Sequence, residues 1–215
     1  SEPKPWHRWA FNDISGLRLG SEYIAKYFWD ITPVPTEKSF RSPKLISPPG
    51  KWRPDFAPES GYLLCSPTAG WNEKSWTAEH WAKTLLSMHE LTGLPIFMTG
   101  ESSGWQLKQC QKIERLAAPA VRNLAGKTTL ETFLWLAANA EMVLAVDGSA
   151  SHLAAAFDVP ALTLFGKNNM PNWHWPMARQ KALLAPNIGV IELPLREFPP
   201  ETVIEAAREL WLQTR

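Results

Sequence analysis

The sequence predicts an α/β domain: an open parallel sheet with helices on both faces, preceded by a proline-rich arm. Three observations predict it. Short apolar runs recur at 62–66, 95–99, 142–146 and 161–165. Segments with apolar residues at helical spacing separate them, and strands that alternate with helices imply parallel pairing. Nine of the 19 prolines fall between Pro3 and Pro58, a density that no long helix or central strand tolerates.

Taken in order, Ile14 to Ile31 carries a loose helical pattern (Leu17, Tyr23, Ile24, Tyr27, Phe28), which predicts one or two helices. Thr32 to Pro58 reads as an extended linker. Tyr62 to Ser66 is a buried strand. Trp81, Leu85 and Met88 share a helix face, with Thr77 as its cap and Gly93 as its end. Pro95 to Thr99 is the next strand, followed by a helix from Trp105 to Leu116 and a short strand at Val121 to Leu124. Thr128 and Glu131 have the spacing of a capping box, so a helix runs from there to about Asn139. Met142 to Val146 is the strongest strand. A short helix from His152 to Phe157 leads to a strand at Ala161 to Phe165. Val190 to Leu193 is read as the last strand, and Glu201 to Gln213 as an amphipathic helix after Pro199-Pro200.

Composition narrows the function. The 215 residues carry 22 basic and 21 acidic side chains, a net charge of +1, which argues against a nucleic-acid partner held by bulk electrostatics. No apolar run reaches the ~18 residues of a membrane span, and no signal-peptide pattern opens the chain. Cys65 and Cys110 are too few for a disulfide framework and lack neighbours at metal-ligand spacing, so they read as buried thiols in a reducing compartment. Most of the twelve tryptophans read as packing elements. Residue 1 is Ser, which suggests a trimmed or truncated chain.

In parallel sheets ligands bind at the carboxyl ends of the strands, so the informative loops follow Ser66, Thr99, Val146 and Phe165. The first holds Thr68, Ala69 and Gly70, then Lys74. Small residues at a helix start present N–H groups to an anion, and Lys74 is either a phosphate-binding charge or a solvated loop lysine. Glu101 either accepts a ribose hydroxyl or belongs to the next helix start. Asp147, Gly148, Ser149 and His152 form the third loop. Gly148 lets backbone approach a ligand, Ser149 and Ser151 suit a helix cap, and His152 is either a phosphate donor or a satisfied core imidazole. Neither Ser66 nor Ser149 has the strained elbow of a hydrolase nucleophile. His174, between two tryptophans, has no assigned role.

Together these loops resemble a known family. Lys74-Ser75-Trp76, Gly100-Glu101, the run Asn123 to Leu130, the run Val146 to Ala156 and Leu164-Phe165-Gly166 resemble the C-terminal half of glycosyltransferase family 9, the ADP-heptose:lipopolysaccharide heptosyltransferases. The resemblance spans Tyr62 to Pro176. It implies the nucleotide-sugar half of a GT-B fold, a Rossmann-like domain. Residues 1–59 would be the remnant of an N-terminal domain and its linker, 60–199 the donor domain, and 200–215 a helix crossing back. By the same resemblance Lys74, Thr68, Ala69, Gly70, Asp147, Gly148, Ser149 and His152 bind the donor diphosphate, while Glu101 and Thr128 approach ribose and base.

The resemblance further implies inverting transfer of a sugar, heptose from ADP-heptose, to a lipopolysaccharide-type or lipid-linked glycan. It implies no metal and no cofactor beyond the donor. The catalytic base would lie in an N-terminal domain, and that domain or a partner chain would complete the cleft. The setting would be the cytoplasm, at the inner face of the inner membrane. Two departures stand out. The family's Asp-Ser/Thr-Gly order is here Asp147-Gly148-Ser149, and its Phe-Gly-Pro-Thr is Phe165-Gly166-Lys167-Asn168. A non-catalytic nucleotide-binding module and a nucleotide-sugar epimerase are the rival readings.

Overall fold

A computed structural model describes residues 44–166, 173–175, 177–185, 187–188, 191–192 and 195–215. The predicted helices before Ile31 and the Lys167-Asn168 departure lie outside the described residues. Lys44 to Gly61 forms one short 3-10 turn, Gly50–Trp52, and no strand, as its prolines require. Phe56 anchors this stretch, its ring edge-on to Phe97 at 5.3 Å.

Six parallel strands make the sheet: β1 (Leu63–Ser66), β2 (Ile96–Met98), β3 (Val121–Asn123), β4 (Met142–Val146), β5 (Ala161–Phe165) and β6 (Gln180–Leu184). Their order is β3-β2-β1-β4-β5-β6. Leu64 registers with Phe97 on one side and Val143 on the other, so β1 is central.

Alternation along each strand feeds two cores. Leu63, Cys65, Ile96, Met98, Leu144 and Leu162 face one layer. That layer is α1 (Ala78–Thr92), α2 (Gly104–Leu116) and the C-terminal α5 (Pro200–Gln213), which packs against α1. Tyr62, Leu64, Phe97, Val143 and Ala145 face the other, covered by α3 (Leu130–Ala138) and α4 (Ser149–Ala156). Each fully buried large apolar side chain contributes about 1.5–3 kcal/mol. Trp76 and Trp81 are core residues, and the Trp76 indole donates to Phe198 O at 2.9 Å. Both cysteines are free and buried, and burial pushes the Cys110 thiol up to about 12.

The helix caps follow sequence in most places. Thr77 caps α1, and Gly93 ends it in the left-handed region at φ 68°. One cap shifts: Thr129, not Thr128, accepts the Thr132 N–H at the start of α3. This leaves Thr128 outside the helix and facing the cleft described below. Helix α4 begins three residues before the predicted His152, because Ser151 bonds back to Gly148 rather than holding a loop.

Of the predicted strand at Val190–Leu193, Ile191–Glu192 lie among the described residues and are a strand. It pairs antiparallel with Asn187–Ile188, apart from the main sheet. The sixth sheet strand is instead β6, which the sequence reading passed over. As an edge strand it is half-buried throughout and carries Gln180 and Lys181, so it lacks the apolar signature of an inner strand.

Candidate functional site

The chain runs outward from β1 through β2 to β3, then returns to β4 on the other side of β1. The loops after β1 and β4 therefore part company, and a crevice opens between them at the carboxyl ends of the strands. A cleft of about 710 Å³ occupies this point.

Of the ten residues expected to bind a donor, nine line this one cleft: Thr68, Ala69, Gly70 and Lys74 from the β1 loop, Glu101 after β2, Thr128 before α3, and Asp147, Gly148 and Ser149 after β4. The tenth, His152, does not. It sits on α4 behind Asp147, its Nε2 3.7 Å from Asp147 Oδ1. It shares a small second cavity with Trp173 and His174.

Lys74 is delivered by a 3-10 turn, Asn72–Lys74, whose last N–H donates to the Trp71 carbonyl at 3.1 Å. Its ammonium donates to Asp147 Oδ2 at 2.5 Å. Asp147 is almost fully buried, whereas the Lys74 side chain keeps 29% of its surface. An ammonium has three donors, so one partner leaves it free to reach a ligand. Burial lowers the His152 pKa from the ordinary 6.5; the Asp147 carboxylate opposes this and the Lys74 charge adds to it. His152 is therefore neutral at pH 7.

The floor of the cleft has further support that the sequence reading missed. Gln106 from α2 donates its side-chain amide to the Ala69 carbonyl and pins the β1 loop. Gln109 does the same to Trp76 O at 2.7 Å. The available signal was Gln106 sharing the i, i+4, i+7 stripe with Cys110 and Ile113. Trp71, Leu130 and Phe133 give the rim an apolar character, and Trp71 and Leu130 are exposed. Among the described residues no three His, Cys, Asp or Glu side chains gather as a metal ligand set.

A parallel sheet in this order, with glycines and a lysine over its switch point, defines an α/β domain of the doubly wound class, whose members bind ligands at that point. The family model for glycosyltransferase family 9 (heptosyltransferase) matches residues 36–192. The chain belongs to that family.

Its relatives agree in kind. It is similar to lipopolysaccharide heptosyltransferase 3 of Escherichia coli, 25% identical over 175 residues, 78% of this chain and 51% of that one. It is also similar to lipooligosaccharide heptosyltransferase 2 of Campylobacter jejuni, 24% identical over 150 residues, 64% and 46%. The chain spans about half the length of the curated relatives it matches.

Solved structures share the fold. A family 9 glycosyl transferase from Veillonella parvula superposes with a TM-score of 0.74 at 18% identity, over 92% of this chain and 62% of that one. The E. coli heptosyltransferase WaaC with ADP gives 0.59 at 24% identity, over 72% and 46%.

Proposed function

We propose that the cleft binds a nucleotide sugar, and that the protein transfers the sugar, with inversion and without a metal, to a lipopolysaccharide-type or lipid-linked glycan. The donor is ADP-heptose. The observation that carries this reading is the meeting of Lys74, Asp147 and the Gly148 backbone on the floor of one cleft. The heptosyltransferase names of the relatives support it.

In this reading the base and ribose lie by Thr128 and Glu101, and the diphosphate lies between Lys74 and the start of α4. A carboxylate outside the described residues takes the proton of an acceptor hydroxyl, which attacks the anomeric carbon. Negative charge then grows on the departing diphosphate. Lys74 and the amides opening α4 stabilise it from fixed positions, which is electrostatic catalysis. The acceptor would be met at the inner face of a membrane by a protein that rests on it. Among the described residues no helix is long and apolar enough to cross one.

A second reading is a nucleotide-binding module without chemistry. It is favoured by the Asp147-Gly148-Ser149 order, which departs from the family's Asp-Ser/Thr-Gly. Epimerisation would call for extra carboxylates and histidines in the cleft. Among the described residues the cleft holds Glu101, Asp147 and no histidine.

Calorimetric titration with ADP, UDP and GDP in the absence of metal tests the donor site. ADP should bind best. Tighter UDP or GDP binding would change the donor, and no binding to any would remove the nucleotide reading. Transfer from ADP-heptose to a lipopolysaccharide acceptor then separates enzyme from module.

A further inference from the structure

Tryptophan is a packing residue nearly everywhere in this chain. Among the described residues every tryptophan except Trp71 and Trp173 is buried or half-buried. Trp173 keeps 39% of its surface and lies against the His152 ring at 6.3 Å. Trp71 keeps 66%, and among the described residues no ring, cation or hydrogen-bond partner engages its indole. The side chain thus forgoes the stabilisation that burial gives the other indoles.

Its backbone is nonetheless held. Trp71 is the N-cap of the 3-10 turn Asn72–Lys74, and its carbonyl accepts the Lys74 N–H at 3.1 Å. Gln106 fixes Ala69 O on one side of it, and Gln109 fixes Trp76 O on the other at 2.7 Å. A braced loop presents a flat apolar face to the outside, and such a face binds with little ordering cost.

Place decides what that face can take. Trp71 stands on the rim of the cleft, at the head of the turn that delivers Lys74. Glu101 follows β2 and Thr128 follows β3, so a nucleoside extends to that side of β1. The rim's other exposed apolar side chain, Leu130, opens α3 there. Trp71 belongs instead to the β1 loop, by the diphosphate end. The floor is closed, since Thr68 and Asp147 are buried at the strand ends. An inverting attack reaches the anomeric carbon from the side away from the diphosphate, so the attacking sugar arrives over the rim. A pyranose has a face of C–H groups edged by hydroxyls, and an indole matches it with an apolar face and one N–H.

We propose that Trp71 is a binding platform for the acceptor: a pyranose ring of the glycan stacks on its indole at the mouth of the cleft. The inference rests on the sugar-transfer reading of the cleft.

The test compares the unaltered chain with Trp71→Phe and Trp71→Ala. Calorimetry measures the affinity of each for ADP. It then measures, in saturating ADP, the affinity for a delipidated lipopolysaccharide core oligosaccharide. Thermal midpoints are recorded without ligand. Trp71→Ala should melt with the parent and bind ADP as the parent does, while its oligosaccharide affinity falls roughly tenfold or more, as for a truncated aromatic anchor. Trp71→Phe, which keeps a ring, should lose less. Unchanged oligosaccharide affinity in Trp71→Ala overturns the inference, whether the ring is then idle or covered by another protein surface. An ADP affinity that falls as far as the oligosaccharide's also overturns it, because Trp71 would then serve the nucleotide. If the unaltered chain binds ADP but no oligosaccharide, only this inference fails. If it binds no ADP, the functional reading fails first and this one with it. A Trp71→Ala chain that does not fold makes the ring a packing element and ends the inference as well.

Discussion

The Lys74 ammonium and the Asp147 carboxylate, 73 residues apart in the chain, meet at 2.5 Å on the floor of the cleft. Each comes from the loop after a central strand, β1 and β4, which register side by side. The pair thus straddles the switch point of the sheet. The buried Asp147 carboxylate is paired with the Lys74 ammonium through one oxygen, and the His152 ring stands 3.7 Å from the other.

Lys74→Ala removes the cation and leaves Asp147 facing any incoming anion. Affinity for a nucleoside diphosphate should fall by about 1.5–3 kcal/mol, the range for a hydrogen bond to a charged group. Calorimetry checks it; an unaltered Kd would take Lys74 out of the site.

Gln106→Leu keeps the buried bulk of the side chain but strips the Ala69 carbonyl of its donor. The expected loss of stability is about 1–3 kcal/mol, read from urea unfolding. Nucleotide affinity should weaken as well, because the β1 loop loses its tether. A variant as stable as the parent would show that water replaces the amide freely.

Threonines 128 and 129 should separate cleanly. Thr129→Ala deletes the α3 cap and should cost about 1 kcal/mol of stability. Thr128→Ala should leave stability nearly unaltered; both threonines line the cleft, so the unfolding free energy and not nucleotide affinity tells them apart. A stability loss on Thr128→Ala and none on Thr129→Ala in urea unfolding would restore Thr128 as the cap.

His152 and His174 are both held below the ordinary 6.5 by burial. Below that value the unfolded chain binds more protons than the folded one, so stability rises with pH there. It is complete above the unfolded value of 6.5 and is lost as pH falls toward the folded values. Replacing both by Gln should flatten the loss between pH 7.5 and 5.5 relative to the parent. Equal pH slopes in urea unfolding would mean that neither ring is kept neutral by the fold.

Much of this is legible in the sequence. Leu63-Leu64-Cys65 and Met142 to Val146 are apolar at every position because both faces of the sheet are covered, and that signal is local. The edge strand β6 lacked it, since an edge strand is covered on fewer sides and tolerates Gln180 and Lys181. The cap at α3 slipped by one residue because Thr128 and Thr129 offer the same hydroxyl, and only the turn geometry chooses between them.

The sequence by itself determined the parallel α/β class, the family, and three of the loops that line the cleft, those after Ser66, Thr99 and Val146. Periodicity and motif spacing are properties of the chain, and they survive without knowledge of contacts. Tertiary structure alone decided that Lys74 pairs with Asp147, that His152 stands behind the carboxylate instead of in the cleft, and that Gln106 braces the loop. Those facts depend on strand order. Which loops become neighbours is set by how β1 and β4 pair across residues far apart in sequence, and no local pattern encodes that distance.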